Sequence, residues 1–118
     1  GYFKYYPNKL EYLGTDERGP AAEQKLHFPG LSPDAATWLV ATRNISSIGL
    51  DTASIDYGQS TDFQSHVILL SENIAVFENV ANLDQLPTKD FYIIALPMKI
   101  KGGSGGPLRI VAVVPDPE

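Results

Sequence analysis

The chain has 118 residues, 43% of them apolar and 19% charged, with a formal net charge of −5. That size and composition fit one globular domain or less and exclude a disordered or fibrous chain. The absence of Cys excludes a disulfide scaffold, a zinc finger and any Cys nucleophile; scattered basic residues and short apolar runs argue against nucleic-acid binding and a membrane-spanning helix.

The chain opens on Gly1-Tyr2-Phe3-Lys4-Tyr5-Tyr6-Pro7, with no Met and no pattern of a secretory signal, and reads as a processed or truncated start. Its aromatic side chains, Tyr2 to Tyr12, either pack on the domain's own core or once faced a preceding segment. Residues 14–30 are rich in Gly, Pro and charge and predict a long loop. Ser32 is a suitable helix N-cap, Pro33 suits the first helical position and Asp34 complements the positive helix end. Ala35, Ala36, Leu39 and Val40 then form a buried helical face that fades near Arg43-Asn44. Ile45–Leu50 predicts a short strand and residues 51–60 a polar loop. A second helix is expected over 62–71, its apolar stripe being Phe63, His66, Val67 and Leu70. Ile74–Val80 predicts a strand and Asn82–Leu86 one helical turn stopped by Pro87. Asp90–Ile100 predicts a longer strand with Pro97 at a bulge or end, and Leu108–Val114 the last strand. Pro115-Asp116-Pro117 closes the domain. The order is an α/β arrangement with a mixed sheet.

With only His27 and His66 in the chain, any metal site must draw on Asp, Glu or residues outside it. His66, in the middle of the helical stripe, reads as a core His with one satisfied hydrogen bond or as a ligand. Glu78 shares a strand face with Ile74 and Val76, and a carboxylate in such a setting needs a cation, a metal or a group of donors. The tight turn between helix and strand lets both side chains face one ion. Asp51, Ser54 and Asp56 follow the carboxyl end of a strand, a favoured place for ligand sites, though Asp and Ser are also ordinary turn residues. Gly102–Gly106 has neither the ending of a phosphate loop nor a helix after it, and predicts a hairpin connection. Asn44-Ile45-Ser46 fits a glycosylation acceptor only in a secreted chain, and His27 reads as an exposed or capping loop residue.

Several stretches together resemble the cyclase family, which includes bacterial kynurenine formamidases (arylformamidases) and isatin hydrolases. They run from His27-Phe-Pro-Gly-Leu-Ser-Pro-Asp-Ala-Ala-Thr-Trp-Leu39 through Ile48-Gly-Leu-Asp-Thr-Ala-Ser-Ile-Asp56 and Ser65-His-Val-Ile-Leu-Leu70. Glu78-Asn79, Asn82-Leu-Asp-Gln-Leu-Pro87, Ile94-Ala-Leu-Pro97 and Gly105-Gly-Pro-Leu-Arg109 continue the family's order. The resemblance implies a swivelling β/β/α fold, with a mixed sheet and flanking helices. It also implies a divalent-metal site, zinc or manganese, at which a metal-activated water hydrolyses amides and cyclic amides. The family's late His and Glu ligands, twelve residues apart, fall on His66 and Glu78, and Asp51 and Ser54 would shape or orient that site.

The family's upstream motif, His-X-Gly-Thr-His-X-Asp-X-Pro, is absent. Residues 1–118 therefore read as the C-terminal portion of a family domain, with 1–30 an aromatic segment and loop and 31–115 its core. The expected metal needs ligands from the missing N-terminal half, which is the expected partner as a longer chain or a second one. No catalytic residue is assigned within the chain, and the fragment alone is expected to be inactive. A small aromatic amide substrate, a place in tryptophan catabolism and a homo-oligomer follow from the resemblance only. The compartment, cytoplasmic or secreted, stays open. The alternative is a non-catalytic structural or interaction protein derived from the same family.

Overall fold

The computed structural model describes residues 1–116, so Pro117 of the predicted closing segment lies outside the described residues. The chain divides into two compact units, Gly1–Leu83 and a second beginning at Asp84.

The first unit starts with a 3-10 turn at Tyr2–Tyr5, followed by helices α1 (Lys9–Leu13) and α2 (Pro20–Glu23). The aromatic segment folds onto itself: Tyr2 and Tyr6 both pack against Tyr12, which is buried. Asn8 caps α1, and Gly14 ends it with a left-handed turn whose N–H donates to the Leu10 carbonyl at 3.1 Å. The predicted loop 14–30 thus contains one short helix, α2.

Helix α3 (Pro33–Thr42) begins where its capping residues predict, the Ser32 hydroxyl accepting from the Ala35 N–H at 3.2 Å. Strand β1 (Ser47–Gly49) and strand β2 (Ala75–Phe77) pair in parallel, Ile48 opposite Val76. Helix α4 (Gln64–Ser71) lies between them in sequence and packs on α3 and β2. Both strands are shorter than the sequence predicts, and single hydrogen bonds extend the pairing, from Leu50 N–H to Phe77 O at 2.9 Å and from Val80 N–H to Leu50 O at 3.0 Å.

The core of this unit is Ala36, Ile55, Leu69 and Ile74, surrounded by partly buried Leu31, Val40, Ile48, Leu50 and Val76. Burying side chains of this kind contributes roughly 1.5–3 kcal/mol each and holds α3, α4 and the two strands together. The predicted stripe of α4 requires correction. Phe63, Val67 and Leu70 are exposed, and Ser65 and Leu69 are the fully buried positions. The helix starts only at Gln64, because Phe63 takes a left-handed conformation (φ 47°), so Phe63 never joins a helical face.

A single 3-10 turn at Leu83–Gln85 precedes Pro87, as predicted. In the second unit, β3 (Tyr92–Pro97) and β4 (Leu108–Val113) form an antiparallel hairpin with Tyr92 opposite Val113 and Pro97 opposite Leu108. Pro97 is the last residue of its strand, where its missing N–H costs no ladder bond. Parallel and antiparallel pairing both occur, but in two separate two-stranded sheets. No helix among the described residues is long and apolar enough to cross a membrane.

Candidate metal centre

Three segments of the first unit converge on the His66 ring: the loop after β1, the first turn of α4 and the residue after β2. The loop is held by backbone hydrogen bonds to the stretch before α3. Leu31 N–H donates to Ile55 O at 2.7 Å and Gly58 N–H to Phe28 O at 3.0 Å. Gly30 sits inside this strap, where a Cβ would come within 2.4 Å of the Asp56 carbonyl carbon and the Tyr57 nitrogen. Only a residue without a side chain allows so close a backbone approach.

That strap delivers Asp56 to the start of α4. One carboxylate oxygen, Oδ1, accepts from the Ser65 N–H at 2.9 Å. The other, Oδ2, accepts from the His66 N–H at 3.1 Å and lies 2.7 Å from His66 Nδ1. Phe63, at the N-cap position of α4, makes no side-chain cap, and Asp56 satisfies two N–H groups of the first turn, those of Ser65 and His66, from across the loop. Ser65 is also tied down by its hydroxyl, which donates to Leu31 O at 2.7 Å. Burial pushes the Asp56 carboxyl up, but the Ser65 N–H, the His66 ring and the His66 N–H together outweigh it and hold the carboxyl below its ordinary value.

On the opposite edge of the ring, His66 Nε2 lies 3.0 Å from Glu78 Oε1. That oxygen also accepts from the Ile55 N–H at 3.1 Å. The next residue, Asn79, adopts a left-handed conformation (φ 55°), and its side-chain oxygen accepts from the Tyr12 hydroxyl at 3.0 Å. The same hydroxyl lies 3.0 Å from the Asp51 carbonyl oxygen. The aromatic N-terminal segment therefore braces the turn that carries Glu78. Burial and the neighbouring Asp51 push the Tyr12 phenol up to about 12.

His66 and Glu78, twenty-three and thirty-two per cent exposed in their side chains, are thus brought together at a partly open position. Asp51 and Ser54 lie elsewhere in the network. The Asp51 carboxylate accepts from the Phe3 N–H at 3.0 Å, and the Ser54 carbonyl accepts from the Thr52 hydroxyl at 2.7 Å. His27 is exposed, as predicted for a loop residue, and its N–H donates to Leu13 O at 2.7 Å. Beside it, Tyr2, Phe28, Pro29, Tyr57 and Gln59 line an open cleft of about 470 Å³.

Among the described residues no group of three or more His, Asp and Glu side chains is arranged to hold a metal ion. The reason is geometric: Asp56 and Glu78 face opposite nitrogens of one ring and share no common point. The pair His66 Nε2 and Glu78 Oε1 does fit part of a coordination shell, since an imidazole nitrogen and a carboxylate oxygen are donors that zinc and manganese take.

The sequence model of the family described as "Putative cyclase" matches residues 3–57. An isatin hydrolase of Roseibium aggregatum is 36% identical over 112 residues, covering 92% of this chain. A kynurenine formamidase of Polaromonas naphthalenivorans is 37% identical over 91 residues, covering 77% of it. The chain belongs to the cyclase family. Its fold agrees: isatin hydrolase A from Ralstonia solanacearum superposes on 97% of this cyclase-family chain with a TM-score of 0.81 at 33% identity. The chain spans 40% of the length of both curated relatives and 43% of the solved one. The family match begins at residue 3 and so takes in the aromatic segment.

Proposed function

We propose that this chain is part of a metal-dependent hydrolase of amide or cyclic-amide bonds, of the arylformamidase or isatin-hydrolase kind. The observation that carries the proposal is the approach of His66 Nε2 and Glu78 Oε1 to 3.0 Å at a partly exposed position. The relatives, which are named as hydrolases of isatin and of a kynurenine formamide, supply the reaction class. In this reading His66 and Glu78 hold one side of a divalent ion, zinc or manganese. Such an ion, when bound, acidifies a water toward neutral pH and polarises the carbonyl it meets. The residues of this chain hold their two donors in place, Glu78 through the Ile55 N–H and the Tyr12–Asn79 contact. Two protein donors are too few for a tight catalytic site, so the remaining ligands come from family sequence outside these residues, and a small aromatic amide is the proposed substrate.

A zinc titration of isotope-labelled chain followed by NMR tests this. Weak binding that perturbs His66 and Glu78, disappears in His66→Ala and Glu78→Gln, and brings no turnover of N-formylkynurenine or isatin is the expected result. A titration that leaves both residues untouched, or turnover by the chain alone, removes the reading. A chimera in which residues 1–118 replace the matching part of the Roseibium aggregatum isatin hydrolase should hydrolyse isatin and lose that activity with His66→Ala.

A further inference from the structure

We propose that Asp56 is the positioning residue of His66: its carboxylate keeps the ring hydrogen on Nδ1 and leaves Nε2, beside Glu78, as the electron-pair donor. The inference rests on reading His66 and Glu78 as the ion-holding pair, and it deepens that reading by assigning the ring its tautomer.

A neutral imidazole carries one hydrogen, and here two carboxylates compete for it. Asp56 Oδ2 lies 2.7 Å from Nδ1, and Glu78 Oε1 lies 3.0 Å from Nε2. The contest is unequal. The Asp56 side chain is 3% exposed, whereas that of Glu78 is 32% exposed. A hydrogen bond to a carboxylate is stronger where water does not compete for it, so the buried, shorter contact has the larger claim. Glu78 Oε1 already accepts from the Ile55 N–H, and water reaches its side chain, so it loses less when Nε2 brings no hydrogen.

Asp56 is also the more rigid partner. Its two oxygens are fixed by the N–H groups of Ser65 and His66, in the first turn of a helix whose own N-cap residue supplies no side-chain cap. One oxygen, Oδ2, binds both the main chain and the ring of His66. The carboxylate therefore fixes where the helix begins and which way the ring points through the same atom. Which nitrogen of a His is free to donate is set by the hydrogen bond at the other, and such outer partners typically change metal affinity by about 10–100-fold.

The test is long-range 1H–15N correlation NMR of the imidazole in the metal-free chain, at a pH where the ring is neutral. The expected pattern is a protonated Nδ1 and an unprotonated Nε2. Glu78→Gln should keep that pattern, because the introduced amide can donate to Nε2. Asp56→Asn should move the population toward the Nε2–H form, with circular dichroism reporting whether the helix survives. A dominant Nε2–H form in the wild-type chain or in Glu78→Gln overturns the proposal, and so does a folded Asp56→Asn with an unchanged pattern. Should Asp56→Asn unfold, the first two spectra still decide. Zinc titration of the same samples separates the two readings. Intact Nδ1–H with no zinc effect at His66 removes the metal reading and leaves the positioning role. A 10–100-fold weaker zinc response in folded Asp56→Asn supports both.

Discussion

Replacing Gly30 by Ala puts one methyl group where the structure has none to spare. The added Cβ would lie 2.4 Å from the Asp56 carbonyl carbon, 2.4 Å from the Tyr57 nitrogen and 2.6 Å from the Ile55 carbonyl oxygen. All three are backbone atoms, so no side chain can rotate away, and one of the two segments must move. The movement strains or breaks the two hydrogen bonds of the strap, Leu31 N–H to Ile55 O and Gly58 N–H to Phe28 O. At about 1 kcal/mol for each bond and about 1–3 kcal/mol for overpacking, the expected loss is about 3–5 kcal/mol. Urea denaturation followed by circular dichroism measures it. Gly105→Ala is the matched control, since its Cβ meets nothing within 4 Å, and should stay within about 0.5 kcal/mol of wild type. A folded Gly30→Ala chain should also show an altered His66 ring spectrum, because the strap sets the position of Asp56. A Gly30→Ala chain as stable as the control, with an unchanged His66 spectrum, refutes the reasoning.

Leu69→Ala empties the centre of the core that joins α3, α4 and the strands, and should cost about 2–5 kcal/mol by the same assay; a loss below 1 kcal/mol would mean that Leu69 is not packed as described. Ser32→Ala removes the cap of α3 and should cost about 1 kcal/mol, with no effect on zinc titration at His66. Tyr12 has a phenol pushed up from 10 to about 12, so its folded form favours the protonated phenol. The resulting stability, roughly 2–3 kcal/mol, is fully present below pH 10 and is lost as pH rises toward 12. Ultraviolet absorbance of phenolate should show Tyr12 ionising last, with Tyr2 also pushed up by burial, and the final step should be lost in Tyr12→Phe; a wild-type curve whose last step is unchanged in Tyr12→Phe contradicts the burial argument.

What the sequence discloses and what it hides divide along the range of the interactions. Helix α3 is legible because its determinants are local: Ser32, Pro33 and Asp34 stand next to each other and act within one turn. Pro97 ends its strand for an equally local reason, the missing N–H. The face of α4 is not legible from periodicity. Its first turn is capped by Asp56, eight residues before the helix begins, and Phe63 departs into a left-handed conformation that an apolar count treats as helix. The pairing of Asp56 with His66 has the same character. Asp56 is one of several polar residues in a loop, and nothing in its neighbours separates it from Asp51, whose carboxylate instead takes the Phe3 N–H. The sequence signal that points toward it is indirect: Gly30 and Gly58 flank the two segments of the strap, and closely approaching backbones are where glycine is required.

The donors around His66 owe their geometry to contacts that all lie within Gly1–Leu83. Asp56 is fixed by the strap to residues 28–31 and by α4; His66 by α4 and Asp56; Glu78 by Ile55 and, through Asn79, by Tyr12. Glu78 is held by a bond from the Ile55 backbone, and the His66 ring by Asp56, whose carboxylate is itself fixed by the N–H groups of Ser65 and His66. On the proposed reading, such a site would exist before any ion arrived, and the binding free energy of an ion would not be consumed in ordering these two donors. The ligands that complete the shell would have to come to His66 Nε2 and Glu78 Oε1, because Nδ1 is closed off by a buried carboxylate. The approach is therefore one-sided. On the proposed reading, Asp56 would set that side by taking the far nitrogen, and the partly exposed Glu78 would leave the near one open to further donors.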